Sequence, residues 1–260
     1  MITKEMILQF REKADVLYVN SLQRTYFRMF GHPVDQRFAI VGNARTGSNY
    51  LLDGLKSSPA IRMYHEIFAD HNRRIGEDFD RVFSMVFQPE SKSTKIVGFK
   101  VFYNHLTENE WQKFLACKDL KIIHLIRRNR LRTVISLEIA FKTGQWTKSG
   151  NSHSGKVQEK RLRLDPSKLI KRLEQIEQGE TTARIHFQDR QILEVIYEEL
   201  VKSPQSLFES VGKYLGVDGI DPGKIRLRRQ NPESLQQLII NYDEIEAALR
   251  STRFAEYLNS

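Results

Sequence analysis

The chain has 260 residues, is 40% hydrophobic and carries a formal charge of +9 with a sequence pI near 9.6. That length can bury one sizeable core, and the basic balance calls for anionic partners. No stretch of about 18 apolar residues and no signal-peptide core is visible, and the single cysteine, Cys117, excludes an internal disulfide, so a soluble, cytoplasmic protein is expected.

Residues 4–30 lack Pro and Gly and space Met6, Phe10, Val16, Leu22 and Phe27 at near-helical intervals. One or two helices are predicted there, ending at Gly31-His32-Pro33. A strand follows from Arg37 to Val41, then the polar loop Gly42-Asn43-Ala44-Arg45-Thr46-Gly47-Ser48-Asn49, then a helix from Gly47 to Lys56. The two glycines have the spacing of a nucleotide phosphate loop, but Ser48 stands where its lysine belongs and the cation, Arg45, precedes the second glycine. Backbone N-H groups at Thr46 to Asn49, two hydroxyls and a guanidinium predict a cradle for a 5′-phosphate, without provision for a γ-phosphate and magnesium. The plainer alternative makes Thr46 or Ser48 an N-cap and Gly47 a turn residue.

A short strand near Ile61–Tyr64 and a helix over Asp78–Phe87 come next. A strand Lys95–Phe102, a helix opened by the capping box Thr107-Glu-Asn-Glu110, a strand Leu120–Ile126 and a helix Leu131–Phe141 continue the alternation. Residues 144–160 are small and polar, which predicts a mobile loop. Helix is expected over 165–190, strand over Gln191–Tyr197, helix over Pro204–Leu215 closed by Gly216, and one or two amphipathic helices from Asn231 to Ser260 after a basic loop. The pattern predicts a single α/β domain: three layers, α/β/α, around a mostly parallel sheet, with ligands beyond the carboxyl ends of the strands.

Arg128 leaves the end of the Leu120–Ile126 strand and Ser136 follows eight residues later, within reach of one phosphate. The basic clusters at Lys121–Arg132 and Arg226–Arg229 lack interleaved aromatics and any helix-turn-helix or zinc pattern, which argues against nucleic acid as partner. A small, highly charged ligand suits their placement at strand ends better.

The loop Asn43-Ala-Arg-Thr-Gly-Ser-Asn-Tyr-Leu51 resembles the 5′-phosphosulfate loop of sulfotransferases, and Arg128-Asn129 with Ser136 resembles their 3′-phosphate motif. Val97-Gly-Phe-Lys-Val-Phe102, Gly144-Gln-Trp146, Val195–Leu200 and Arg228-Arg-Gln-Asn-Pro232 resemble blocks of the bacterial carbohydrate branch, which includes trehalose 2-sulfotransferase-like enzymes. The resemblance runs from about Arg37 to the C-terminus. It implies a P-loop-like fold, 3′-phosphoadenosine 5′-phosphosulfate (PAPS) as co-substrate, adenosine 3′,5′-bisphosphate (PAP) as product, and no metal. By it the donor contacts fall to Arg45, Thr46, Gly47, Ser48, Asn49, Tyr50, Arg128, Ser136, Arg228, Arg229 and Gln230. Ala44, Asn49 and Tyr50 depart from the usual Pro or Gln, Thr and Trp.

Sulfuryl transfer needs a base at the acceptor hydroxyl and cations at the leaving phosphate. Glu66, in Met63-Tyr-His-Glu-Ile-Phe68, is the leading base candidate, since related carbohydrate sulfotransferases carry a glutamate there. His105 comes second and His65 third. His65-Glu66 is no metalloprotease motif, because Ala69 replaces the second histidine. Arg45 suits the leaving phosphate, Lys100 the transferred or leaving oxygens, and Trp146 either a sugar ring or packing. Expected is a sulfotransferase acting on a saccharide or glycolipid, with no membrane span. A homodimer is one use for the N-terminal helices. A P-loop kinase of a small substrate and a basic nucleic-acid-binding module are the alternatives.

Overall fold

The computed structural model describes residues 29–34, 36–73, 77–146 and 157–259. The predicted helices over residues 4–30 lie almost wholly outside them. So does most of the predicted mobile loop.

Five strands, β1 (Gln36–Gly42), β2 (Ile61–Met63), β3 (Ile96–Phe102), β4 (Leu120–Ile126) and β5 (Ile192–Ile196), run parallel in the order β2-β3-β1-β4-β5. The helices, in chain order, are α1 (Ser48–Leu55), α2 (Phe79–Val86), α3 (Glu108–Ala116), α4 (Arg130–Thr143), α5 (Val157–Lys160), α6 (Pro166–His186), α7 (Tyr197–Lys202), α8 (Pro204–Leu215), α9 (Leu235–Leu238) and α10 (Tyr242–Arg250). The expected three layers follow from strand alternation. Phe38, Ile40, Ile123 and Leu125 turn to one face, where α1, α7 and α8 supply Leu51, Leu55, Leu200, Phe208 and Val211. Ala39, Val41, Val97, Phe99 and Val101 turn to the other, against Phe79 and Val82 of α2, Phe114 of α3 and Ala183 of α6. A third apolar cluster joins α4, α6, α9 and α10 beyond the sheet.

Register sets where the chemistry falls. Gly42 pairs with Phe102 on one side and Leu125 on the other, so the carboxyl ends of β3, β1 and β4 are level. From β1 the chain steps to β2 and β3 on one side, then crosses to β4 and β5 on the other, which puts the change of direction at β1. A crevice opens there. Gly42 has no room for a side chain: a Cβ would lie 2.4 Å from the Leu125 carbonyl oxygen.

Most elements match the sequence expectation, and the differences have local causes. The described strands are all parallel rather than mostly so. The strand expected to reach Tyr197 stops at Ile196, because Tyr197 opens α7. Helix α6 ends at His186 rather than near 190, its last carbonyls turned to the Phe187 N-H. Within the predicted loop 144–160, Val157–Lys160 is helical, and Lys160 is buried with its ammonium on the Gln230 carbonyl at 3.1 Å and on Glu233 at 2.7 Å. The capping box at Thr107 and Glu110 forms as read.

Candidate active site

The loop between β1 and α1 is wound by two residues in left-handed conformation, Arg45 at φ 66° and Gly47 at φ 91°. The Thr46 hydroxyl donates to the Asn43 carbonyl at 2.7 Å and closes the turn. Gly47 is the N-cap of α1 and makes no side-chain capping bond, so neither Thr46 nor Ser48 is the cap of the helix. Gly47 is also required sterically. A Cβ there would sit 2.3 Å from the Tyr197 ring.

A cavity of about 880 Å³ lies over this loop. Arg45, Gly47, Ser48, Asn49, Tyr50, Glu66, Lys100, His105, Ser136, Arg228, Arg229 and Gln230 line it. Thr46 and Arg128 do not. Thr46 is buried beneath the loop, whereas Arg128 turns outward, 63% exposed in its side chain, to an ion pair with Glu199. Its backbone N-H and that of Asn129 donate to Glu198 at 3.0 and 3.3 Å.

Arg45 ties three segments together. Its Nε donates to the Ser136 hydroxyl at 3.0 Å, one Nη to the Trp146 carbonyl at 2.7 Å, and the other Nη to the Gln230 side-chain oxygen. Burial, and after it the neighbouring Arg127, brings its guanidinium down to about 10, still cationic at neutral pH. Arg127 is likewise held at about 10 by burial and donates to the Arg45 carbonyl at 3.3 Å.

Across the cavity, Lys100 from β3 is 1% exposed. Its ammonium donates to the Asn49 side chain at 2.6 Å and pairs with Glu66 at 2.8 Å, while the Phe102 ring lies 5.3 Å away. Strand geometry explains the pairing: β2 ends opposite Gly98, and the Lys100 N-H donates to the His65 carbonyl at 3.3 Å. His105 Nε2 stands 4.0 Å from Glu66, and its Nδ1 accepts from the Phe102 N-H at 3.2 Å. Burial drives His105 down to about 4, so the neutral ring carries its hydrogen on Nε2, facing the carboxylate. His65 does not line the cavity and meets Lys56 at 3.1 Å. Trp146 packs edge-on against Phe141 with centroids 5.1 Å apart on the cavity wall.

Sequence reasoning missed Arg127, Arg132, Asn43 and Tyr197, all cavity residues. The Arg127-Arg128 pair was visible at a strand end. Which of the two faces the crevice depends on a single residue of strand alternation, which the sequence leaves open.

A parallel sheet whose central strand delivers an arginine-bearing loop to one crevice, opposite a carboxylate and a lysine, is a P-loop-like α/β fold. The Stf0 sulphotransferase family model matches residues 15–244, and the chain belongs to that family: it is a sulfotransferase. It is similar to nodulation protein H of Rhizobium meliloti strain 1021, with 24% identity over 85% of this chain and 94% of that one, and to nodulation protein H of Rhizobium tropici, with 23% identity over 86% and 94%. Among solved structures, a sulfotransferase from Alicyclobacillus acidocaldarius aligns with TM-score 0.47 at 17% identity, covering 86% of this chain and 94% of that one. A mouse sulfotransferase complexed with PAP aligns with TM-score 0.43 at 14% identity, covering 91% and 79%. Among the described residues no helix is long and apolar enough to cross a membrane.

Proposed function

We propose that the enzyme moves a sulfuryl group from PAPS to a hydroxyl of a saccharide or glycolipid acceptor, with Glu66 as general base and Arg45 at the leaving phosphate. The observation that carries this is the opposition, within one cavity, of the Arg45 loop and the Glu66–Lys100 pair. The donor's doubly phosphorylated nucleotide suits the lining: the Asn43 Nδ2 and Arg127 Nε atoms are buried there without a protein partner among the described residues, and the α1 N-terminus offers N-H groups. The co-substrate supplies an activated sulfuryl group.

The acceptor oxygen bonds to sulfur as its proton passes to a Glu66 carboxylate oxygen. The bond from sulfur to the bridging oxygen breaks, and its electron pair stays on the 5′-phosphate. Arg45 and the loop N-H groups offset that charge, in a site buried enough to strengthen each contact. Lys100 lies between base and loop, within reach of the transferred oxygens. His105, neutral with Nε2 4.0 Å from Glu66, stands beside the base rather than serving as one.

Isothermal titration with PAP and with adenosine 5′-monophosphate tests the reading. Both should bind the folded wild type, and Arg45→Ala should weaken both by about tenfold or more, as loss of a charged contact to phosphate does. No binding, or binding indifferent to Arg45, overturns it.

A further inference from the structure

A second cleft, of about 400 Å³, opens beside the base, within the roughly 300–1,000 Å³ of small-molecule sites. It shares Asp70, Asn104 and His105 with the main cavity, so the two communicate past the histidine whose Nε2 stands 4.0 Å from Glu66. Arg73 pins its floor, donating to the Phe68 and His105 carbonyls at 2.9 Å each and pairing with Glu110 on the first turn of α3. At the rim, Asp78 caps α2 and Lys113 pairs with Asp80. Asp70, Asn104 and Asn109 remain, exposed residues whose side chains make no hydrogen bond with the described residues. Phe79 and Leu106 give the cleft an apolar surface. Two amides that both donate and accept, a carboxylate that accepts and an apolar surface match the hydroxyl edge and C-H face of a sugar ring. Three carboxylates, Asp70, Asp78 and Glu110, outnumber the two cations, Arg73 and Lys113, so this end of the site repels an acidic sugar, unlike the arginine-bearing loop across the cavity.

We propose that the acceptor is an uncharged saccharide of at least two units, with the sulfated unit at Glu66 and its neighbour in this cleft, held by Asp70, Asn104 and Asn109. The inference rests on the acceptor reading above and names the class of acceptor within it. Contacts to the second unit, away from the reacting oxygen, orient the hydroxyl at Glu66, so they raise kcat/KM for the acceptor and leave donor affinity alone.

Transfer of radiolabelled sulfate from PAPS to paired acceptors reads the second unit: glucose against trehalose, and N-acetylglucosamine against N,N′-diacetylchitobiose. For the full chain, kcat/KM should be about tenfold or more higher for at least one disaccharide than for its monosaccharide. Asn104→Ala and Asn109→Ala should each narrow that preference about three- to tenfold, as loss of a neutral hydrogen bond does. Asn109 lines the side cleft and not the main cavity, so its variant should also bind PAP within about twofold of wild type. Monosaccharides used as well as their disaccharides, or a preference untouched in both variants, overturn the inference and leave the saccharide reading standing. Transfer to none of these sugars, by a protein that binds PAP, overturns the saccharide reading and the inference with it.

Discussion

Lys100, 1% exposed, has its ammonium against the Asn49 amide oxygen, the Glu66 carboxylate and the Phe102 ring. A buried cation is stable only while such partners remain, so Glu66 both compensates Lys100 and stands ready for an acceptor proton. Glu66→Gln should therefore lower transfer of radiolabelled sulfate by about 10²–10⁴-fold while PAP still binds, and should also lower the melting temperature. His105→Asn should retain most turnover, and the opposite pattern would transfer the base to the histidine. The pH behaviour follows from the same burial. His105 and His124 are both held at about 4 against an ordinary 6.5, so at a pH between those values the unfolded chain binds protons that the native protein does not. Stability should be full above about 6.5 and fall as the pH is lowered toward 4, steepest at about pH 5, where the unfolded rings are protonated and the native ones are not, as measured by denaturant unfolding across that range. His105 should add no limb to the turnover profile between about pH 6 and 8.

At the scale of elements, two glycines with the same sequence spacing do different work. Gly42 faces the Leu125 backbone, which cannot move without breaking the sheet, whereas Gly47 faces the Tyr197 ring and holds a left-handed turn. Gly42→Ala should lose stability by several kcal/mol, near the limit of folding. Gly47→Ala should fold and lose nucleotide affinity instead, and thermal melts beside PAP titrations distinguish the two. Strand β4 was legible residue for residue, as its apolar run is bounded by charges and turns, and α8 was bounded correctly by Ser203-Pro204 and Gly216. The strand-to-helix junction within Val195–Leu200 was also legible, but its boundary was not: Tyr197 continues an apolar strand in composition, yet it opens α7 with its ring over Gly47. Of the donor contacts expected from sequence, Ser136, Arg228, Arg229, Gln230 and the loop residues other than the buried Thr46 reach the cavity. Arg128 does not, because its direction is set by Glu198 and Glu199, seventy residues further on, a contact no local pattern announces.

The molecule as a whole is closed by its last turns. Asn129, which caps α4 through the Arg132 N-H at 2.8 Å, donates its amide to the Tyr257 carbonyl at 2.9 Å, while Phe254 and Tyr257 are buried in the cluster beyond the sheet. Deleting residues from 254 onward should cost about 3–5 kcal/mol and weaken PAP binding together with stability, since the start of α4 loses its anchor. A truncated chain with an unchanged melt and titration would refute that link. Because the sheet is parallel with its central ends level, the β1–α1 loop, Lys100 and Arg127 meet the cavity at one rim, and among the described residues the turns at Ser57–Ala60, Ser91–Lys95 and Lys118–Asp119 lie at the opposite one. That back edge is a handle: a tag, a fusion partner or an attachment to a support at Lys118 leaves the crevice facing outward and free to exchange its ligands.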